Sequence, residues 1–175
     1  MDDGKLISFG GPWVALCCAF ALHVLDEALT GFLDVYNPTV AALRQRWAWF
    51  PMPTWEYRDW LVTLVVACAV CFALTPLAFR GSRSLRVFAW LFAGIMLLNG
   101  LGHTLFTVLG RTVESVRFAR PAPGFYSSPV LIAAAGWMMV RLGRGRHQRS
   151  RRLTAKAAKQ RCSDKEPVTS PDGSD

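Results

Sequence analysis

Four stretches of the chain carry no formally charged residue: Leu6 to Leu25, Trp60 to Phe79, Val87 to Gly110 and Pro121 to Val140, of 20, 20, 24 and 20 residues. A hydrocarbon core of roughly 30 Å needs about 20 residues at ~1.5 Å rise, so each stretch is long enough to cross a bilayer as a helix. The pattern predicts an all-α fold, a polytopic membrane four-helix bundle. Its transmembrane domain covers residues 1–142, with spans near 12–30, 60–79, 87–110 and 124–141. Pro12 suits the first turn of the first helix. Thr63, Ala67, Cys71 and Thr75 recur every four positions, and Ala133, Ala134, Ala135 and Gly136 cluster in the last span. Small residues in such rows let helices approach closely, so both rows are expected to pack.

Between the first two spans, residues 31–59 are too long and too aromatic for a plain loop. Trp47, Trp49 and Trp55 fall here with Tyr36, Phe50 and Tyr57, and Trp60 follows at once, which puts four of the seven tryptophans within 14 residues. Indole and phenol rings favour the headgroup region, which predicts an interfacial aromatic-rich segment. Asn37-Pro38 reads as a cap followed by a short helix through about Trp49, with Arg44 and Arg46 toward lipid phosphates. Such a segment serves as a lid over the outer leaflet or, as the preferred reading, as an aromatic belt.

Composition sharpens this picture. Of 175 residues, 52% are apolar and only 18% charged. Those proportions exclude a disordered chain, a disulfide scaffold and an ordinary soluble enzyme. Half of the 20 Lys and Arg lie between Arg141 and Lys165. With both termini on one side, that side holds 14 basic residues against 6 on the other, so the positive-inside rule puts both termini in the cytoplasm of a multi-pass cell-membrane protein. The amino terminus Met-Asp-Asp-Gly-Lys lacks the basic start of a signal peptide, no A-x-A site follows the apolar run, and Leu16 precedes Cys17 where lipidation needs a small residue. The first stretch is therefore expected to stay as a helix. Residues 143–175 read as a disordered, basic cytoplasmic tail whose expected partner is anionic lipid rather than nucleic acid. Cys68-x-x-Cys71 sits in an apolar helix without further ligands, which predicts buried thiols rather than a redox or zinc motif.

Two spans break the apolar rule. His23, Asp26, Glu27 and Thr30 fall within an arc of about 100° on the first helix, and Asn99, His103 and Thr107 follow one another at four-residue spacing on the third. With 1.5 Å per residue, His23 lies ~3 Å and Asn99 ~1 Å outward of their helix midpoints, with Glu27 at ~9 Å and His103 at ~7 Å. The two stripes thus share a depth and are expected to form one site opening to the extracytoplasmic side. A carboxylate in hydrocarbon costs at least ~2.5 kcal/mol, so such residues point to function. The plainer alternative is interhelical hydrogen bonding, worth ~0.6 kcal/mol per bond, with the two acids at headgroup level.

The segment His23-Val24-Leu25-Asp26-Glu27 resembles the signature of a family of small integral membrane proteins named for an H-x-x-E-E motif, the HXXEE family. The likeness covers roughly residues 12–142: Asn99-Gly-Leu-Gly-His103 is similar to that family's later Asn/His pair, and Pro123-Gly124 to its Pro-Gly step before the last helix. Asp26 stands where the family has Glu, and Ala122 stands near the place of a tyrosine often found there. The resemblance implies paired polar sites in a membrane protein and names no reaction.

Three kinds of function fit these residues. In a membrane enzyme for a lipid or isoprenoid-like substrate, His23 and Glu27 form an acid/base pair, with Asp26 beside them, His103 as their partner and Asn99 to orient the substrate. The His-x-x-x-Glu spacing is similar to that of membrane sterol isomerases. Alternatively His23, Glu27 or Asp26, and His103 bind a divalent metal, since two imidazoles and one carboxylate leave an open position on zinc or iron. In the third reading, a non-catalytic binding or assembly protein, possible as a homo-oligomer, uses the cluster as a structural hydrogen-bond network.

Overall fold

A computed structural model of the chain describes residues 8–144. The chain divides into two units, residues 1–142 and 143–175. The first holds the elements below; of the second only Gly143 and Arg144, both helical, are described, so the expected basic tail and its lipid contact lie outside the described residues.

The fold is mostly helical: α1 (Gly10–Leu29), α2 (Phe32–Arg46), α3 (Tyr57–Ala73), α4 (Thr75–Phe79) and α5 (Arg83–Leu109), then β1 (Arg111–Val113) and β2 (Val116–Arg117). A further helix, α6, runs over residues 128–144. Three helical stretches among the described residues are long and apolar enough to cross a membrane: Gly10–Leu29, Tyr57–Phe79 and Arg83–Leu109, with mean hydropathies of 1.4, 2.4 and 1.6. The second buries little of itself, and Val62, Val65, Val66 and Val70 stand outward. A continuous apolar face of that size suits hydrocarbon and not water.

That second stretch is broken at Leu74, between α3 and α4. Pro76 lies in the first turn of α4 and brings no N–H to the ladder. Near the break, the carbonyl of Cys71 accepts the Trp13 indole N–H at 3.0 Å. Trp13 is wholly buried, so this bond satisfies a backbone acceptor from within the core.

The core joins α1 to α5 and α6. Trp13, Leu16 and Phe20 of α1 belong to one cluster with Ala89, Phe92 and Met96 of α5 and Leu131, Ala135 and Met138 of α6. Phe20 and Phe92 meet edge to face at 5.5 Å. The expected small-residue rows are partly used: Cys71 is buried and Ala67 packs on the core, while Thr63 is exposed and bonds the Asp59 carbonyl. At Gly100 a Cβ would lie 2.8 Å from Ile132 Cγ1 and 3.2 Å from the Ser128 carbonyl. This bare position lets α5 and α6 touch, and it brings Asn99 and His103 beside residues 127 and 128.

Two local expectations are corrected. The helix expected from Pro38 to about Trp49 starts at Phe32 and ends at Arg46, with Pro38 in its interior. Gly31, at φ 74°, supplies the left-handed break after α1, so α2 begins before the proline. Asn37 does not cap it; its amide N–H donates to the Trp55 carbonyl at 2.9 Å and its amide oxygen accepts the Trp55 N–H at 3.0 Å, which pins the incoming strand of loop to α2. Between α5 and α6 the chain forms an antiparallel hairpin, β1 with β2, that an all-α reading does not contain. Thr112, Val113 and Val116 are β-branched and favour it, and Thr39 of α2 hydrogen-bonds Thr112.

Candidate functional site

All the polar residues singled out in the two stripes come together. His23, Glu27 and His103 are buried, and Asp26 and Asn99 are half-buried beside them. The rings of His23 and His103 stand 4.9 Å apart, edge to face. Glu27 Oε1 lies 3.4 Å from His23 Nε2, one turn before it, and 3.1 Å from His103 Nε2 on α5. The three ligand-bearing atoms all fall within 4.8 Å of one another. Phe32, at the start of α2, closes one side with its ring 5.8 Å from that of His103.

A second tier orients these groups, and its main member, Ser127, was not foreseen. Ser127 donates its hydroxyl to Asp26 Oδ2 at 2.8 Å, and its backbone N–H meets the same oxygen at 2.8 Å. The Ser127 hydroxyl proton has two acceptors, Asp26 Oδ2 and, at 3.3 Å, the Gly124 carbonyl, so its oxygen is left to accept from His23 Nδ1 at 2.7 Å. The network therefore assigns the proton of a neutral His23 ring to Nδ1 and leaves the Nε2 lone pair facing Glu27. The Asn99 amide N–H donates toward that lone pair at 3.0 Å. Asp26, expected among the reacting groups, meets the imidazole through the Ser127 hydroxyl, two hydrogen bonds away.

The loop before α6 is held by the same stripes. Thr30 donates to the Asp26 carbonyl at 2.6 Å and accepts the Gly124 N–H at 3.1 Å. Thr107 donates to the His103 carbonyl at 2.8 Å and accepts the Ala122 N–H at 3.0 Å. Each threonine ties a span to the loop. Gly124 has φ 79°, and a Cβ there would lie 3.0 Å from both Glu27 Cγ and His103 Cε1. The Pro-Gly step is required by the cluster itself: only glycine combines this conformation with this clearance.

Two cavities reach the cluster. One, of about 550 Å³, lies between α2, α5 and the hairpin and is lined by Asn99 and His103. The other, of about 330 Å³, is lined by Glu27, Asp34 and Asn37 among others. Phe32 lines both. Beside them Tyr36 donates to the Pro53 carbonyl at 2.9 Å, and burial pushes its hydroxyl up from the usual tyrosine range, which keeps it a donor.

Comparison with protein-family models, with curated proteins and with solved structures finds no match for this chain.

Proposed function

We propose that the chain is a multi-pass membrane metalloprotein in which His23, Glu27 and His103 hold one divalent cation for chemistry on a lipid-like substrate. The observation that carries this reading is the pair His23 Nε2 and Glu27 Oε1: two lone-pair-bearing atoms face each other at 3.4 Å, an arrangement that a cation between them stabilises. Two donors on one tetrahedral zinc, each bonded at about 2.0–2.1 Å, stand roughly 3.3 Å apart. The Glu27 contacts of 3.4 and 3.1 Å bracket that spacing. Two imidazoles and one carboxylate also suit ferrous iron. The Asp26–Ser127–His23 chain resembles the outer-shell bonding that fixes the tautomer of metal-binding histidines. Bound there, the metal would supply a Lewis acid, while Asn99, also on the 550 Å³ cavity, would orient a substrate oxygen.

In this reading residues 128–144 belong to a fourth crossing, and both termini face the cytoplasm, as the 14-to-6 split of basic residues favours. The resemblance to the HXXEE family accords with a site shared by the first and third spans.

The test is metal analysis of the full chain purified in mild detergent without chelators. The expected result is about one equivalent of zinc or iron, lost in His23→Ala and in His103→Ala. Far less than one equivalent in folded wild-type protein would overturn it. A second reading, metal-free acid/base chemistry, is favoured by one contact, the Asn99 N–H already aimed at His23 Nε2. In that case Glu27→Gln changes the cell's lipid profile while the protein carries no metal.

A further inference from the structure

We propose that the 550 Å³ cavity takes a neutral single-chain amphiphile, a long-chain alcohol or its ester, with the oxygen of its head at Asn99 and His103. The proposal rests on the reading of His23, Glu27 and His103 as a reactive centre and names the class of molecule brought to it. The size falls within the roughly 300–1,000 Å³ of small-molecule sites. It holds one chain and its head, not both chains and the headgroup of a diacyl phospholipid.

Charge decides the head. Among the described residues that line the cavity, none is Lys, Arg, Asp or Glu. Along this wall a phosphate, carboxylate or ammonium would find no side-chain counter-ion, and a divalent cation at the cluster would already share its charge with the Glu27 carboxylate, whereas a hydroxyl or ester oxygen finds the Asn99 amide and the His103 ring. Most of the remaining wall is apolar, including Leu43, Leu98 and Phe106. From Phe32 to Leu43 the α2 wall runs about 16 Å at 1.5 Å per residue, long enough for most of an extended alkyl chain. The polar cavity on the Glu27 side, with Asp34 and Asn37, lies across Phe32 and gives water its own approach. Chain and water therefore have separate cavities at the cluster.

Gly102 supplies the variant. It lines the cavity, and a Cβ there meets only Phe106 Cε2, at 3.9 Å. Gly102→Leu adds a side chain at the cavity wall without a backbone clash. The probe is hexadecanol carrying a mid-chain diazirine, photolysed on full-length protein in detergent and mapped by peptide mass spectrometry. Labelling should fall on residues 35–43 and 98–106, be displaced by unlabelled hexadecanol but not by palmitate or phosphatidylcholine, and drop about tenfold or more in Gly102→Leu, the scale on which apolar pockets sense added methylenes. Labelling spread over the outward face of residues 62–70, or equal displacement by palmitate, would overturn the proposal even if the variant does not fold. Metal content measured on the same samples keeps the two readings apart. Metal-loaded protein without displaceable label defeats the cavity proposal alone, and displaceable label on metal-free protein defeats the metal reading alone.

Discussion

The Ser127 hydroxyl decides which nitrogen of His23 faces the cluster, since it accepts from Nδ1 while donating to Asp26. Ser127→Ala removes that relay without touching the three donor atoms. The expected outcome is a loss of about 10–100-fold in metal affinity, measured by competition with a chelator, and recovery in Ser127→Thr. Gly124→Ala is expected to do more harm, because its Cβ would press on Glu27 and His103 and its φ of 79° is strained for alanine. A fall in thermal stability worth about 1–2 kcal/mol should accompany loss of the metal. At this scale the sequence was readable where ionisable and amide groups repeat on one helical face: His23, Glu27, Asn99 and His103 stand together as their spacing indicated. Ser127 was not readable, since a hydroxyl near the start of an apolar helix carries no charge and no spacing. The question that would have found it is what accepts from the far nitrogen of a buried histidine.

Among the elements, α2 with the hairpin roofs the apolar cavity. Its position depends on two bonds between Asn37 and the Trp55 backbone. Asn37→Ala should free the 47–56 segment, costing about 1–3 kcal/mol, and appear as faster amide exchange at Trp55 and earlier proteolysis near Met52. Spans of hydrophobic sequence showed where α1, α3 and α5 lie, because lipid-length apolar runs are rare by chance. The start of α2 and the hairpin were hidden for opposite reasons. Gly31 broke the chain earlier than Pro38 suggested, and β1 and β2 are too short to carry an alternating pattern. The break at Pro76 was likewise invisible to hydropathy, since proline counts little in such sums while it removes a ladder donor.

Across the whole molecule, the site draws on α1, α5 and the turn into α6, three parts of the chain far apart in sequence. Their order also shapes how the protein is made. Ser127 lies 104 residues beyond His23, so at about 5–20 residues per second a ribosome takes roughly 5–20 s to deliver it after the first helix has emerged. During that interval no Ser127 holds the proton on Nδ1, so the His23 ring is free to turn an Nε2–H toward Glu27, one turn on at 3.4 Å. The nascent first helix thus carries a self-contained acid–imidazole pair into the insertion machinery. Replacing His23 with leucine would leave the acid to enter the bilayer alone, long before its later neighbours are synthesised.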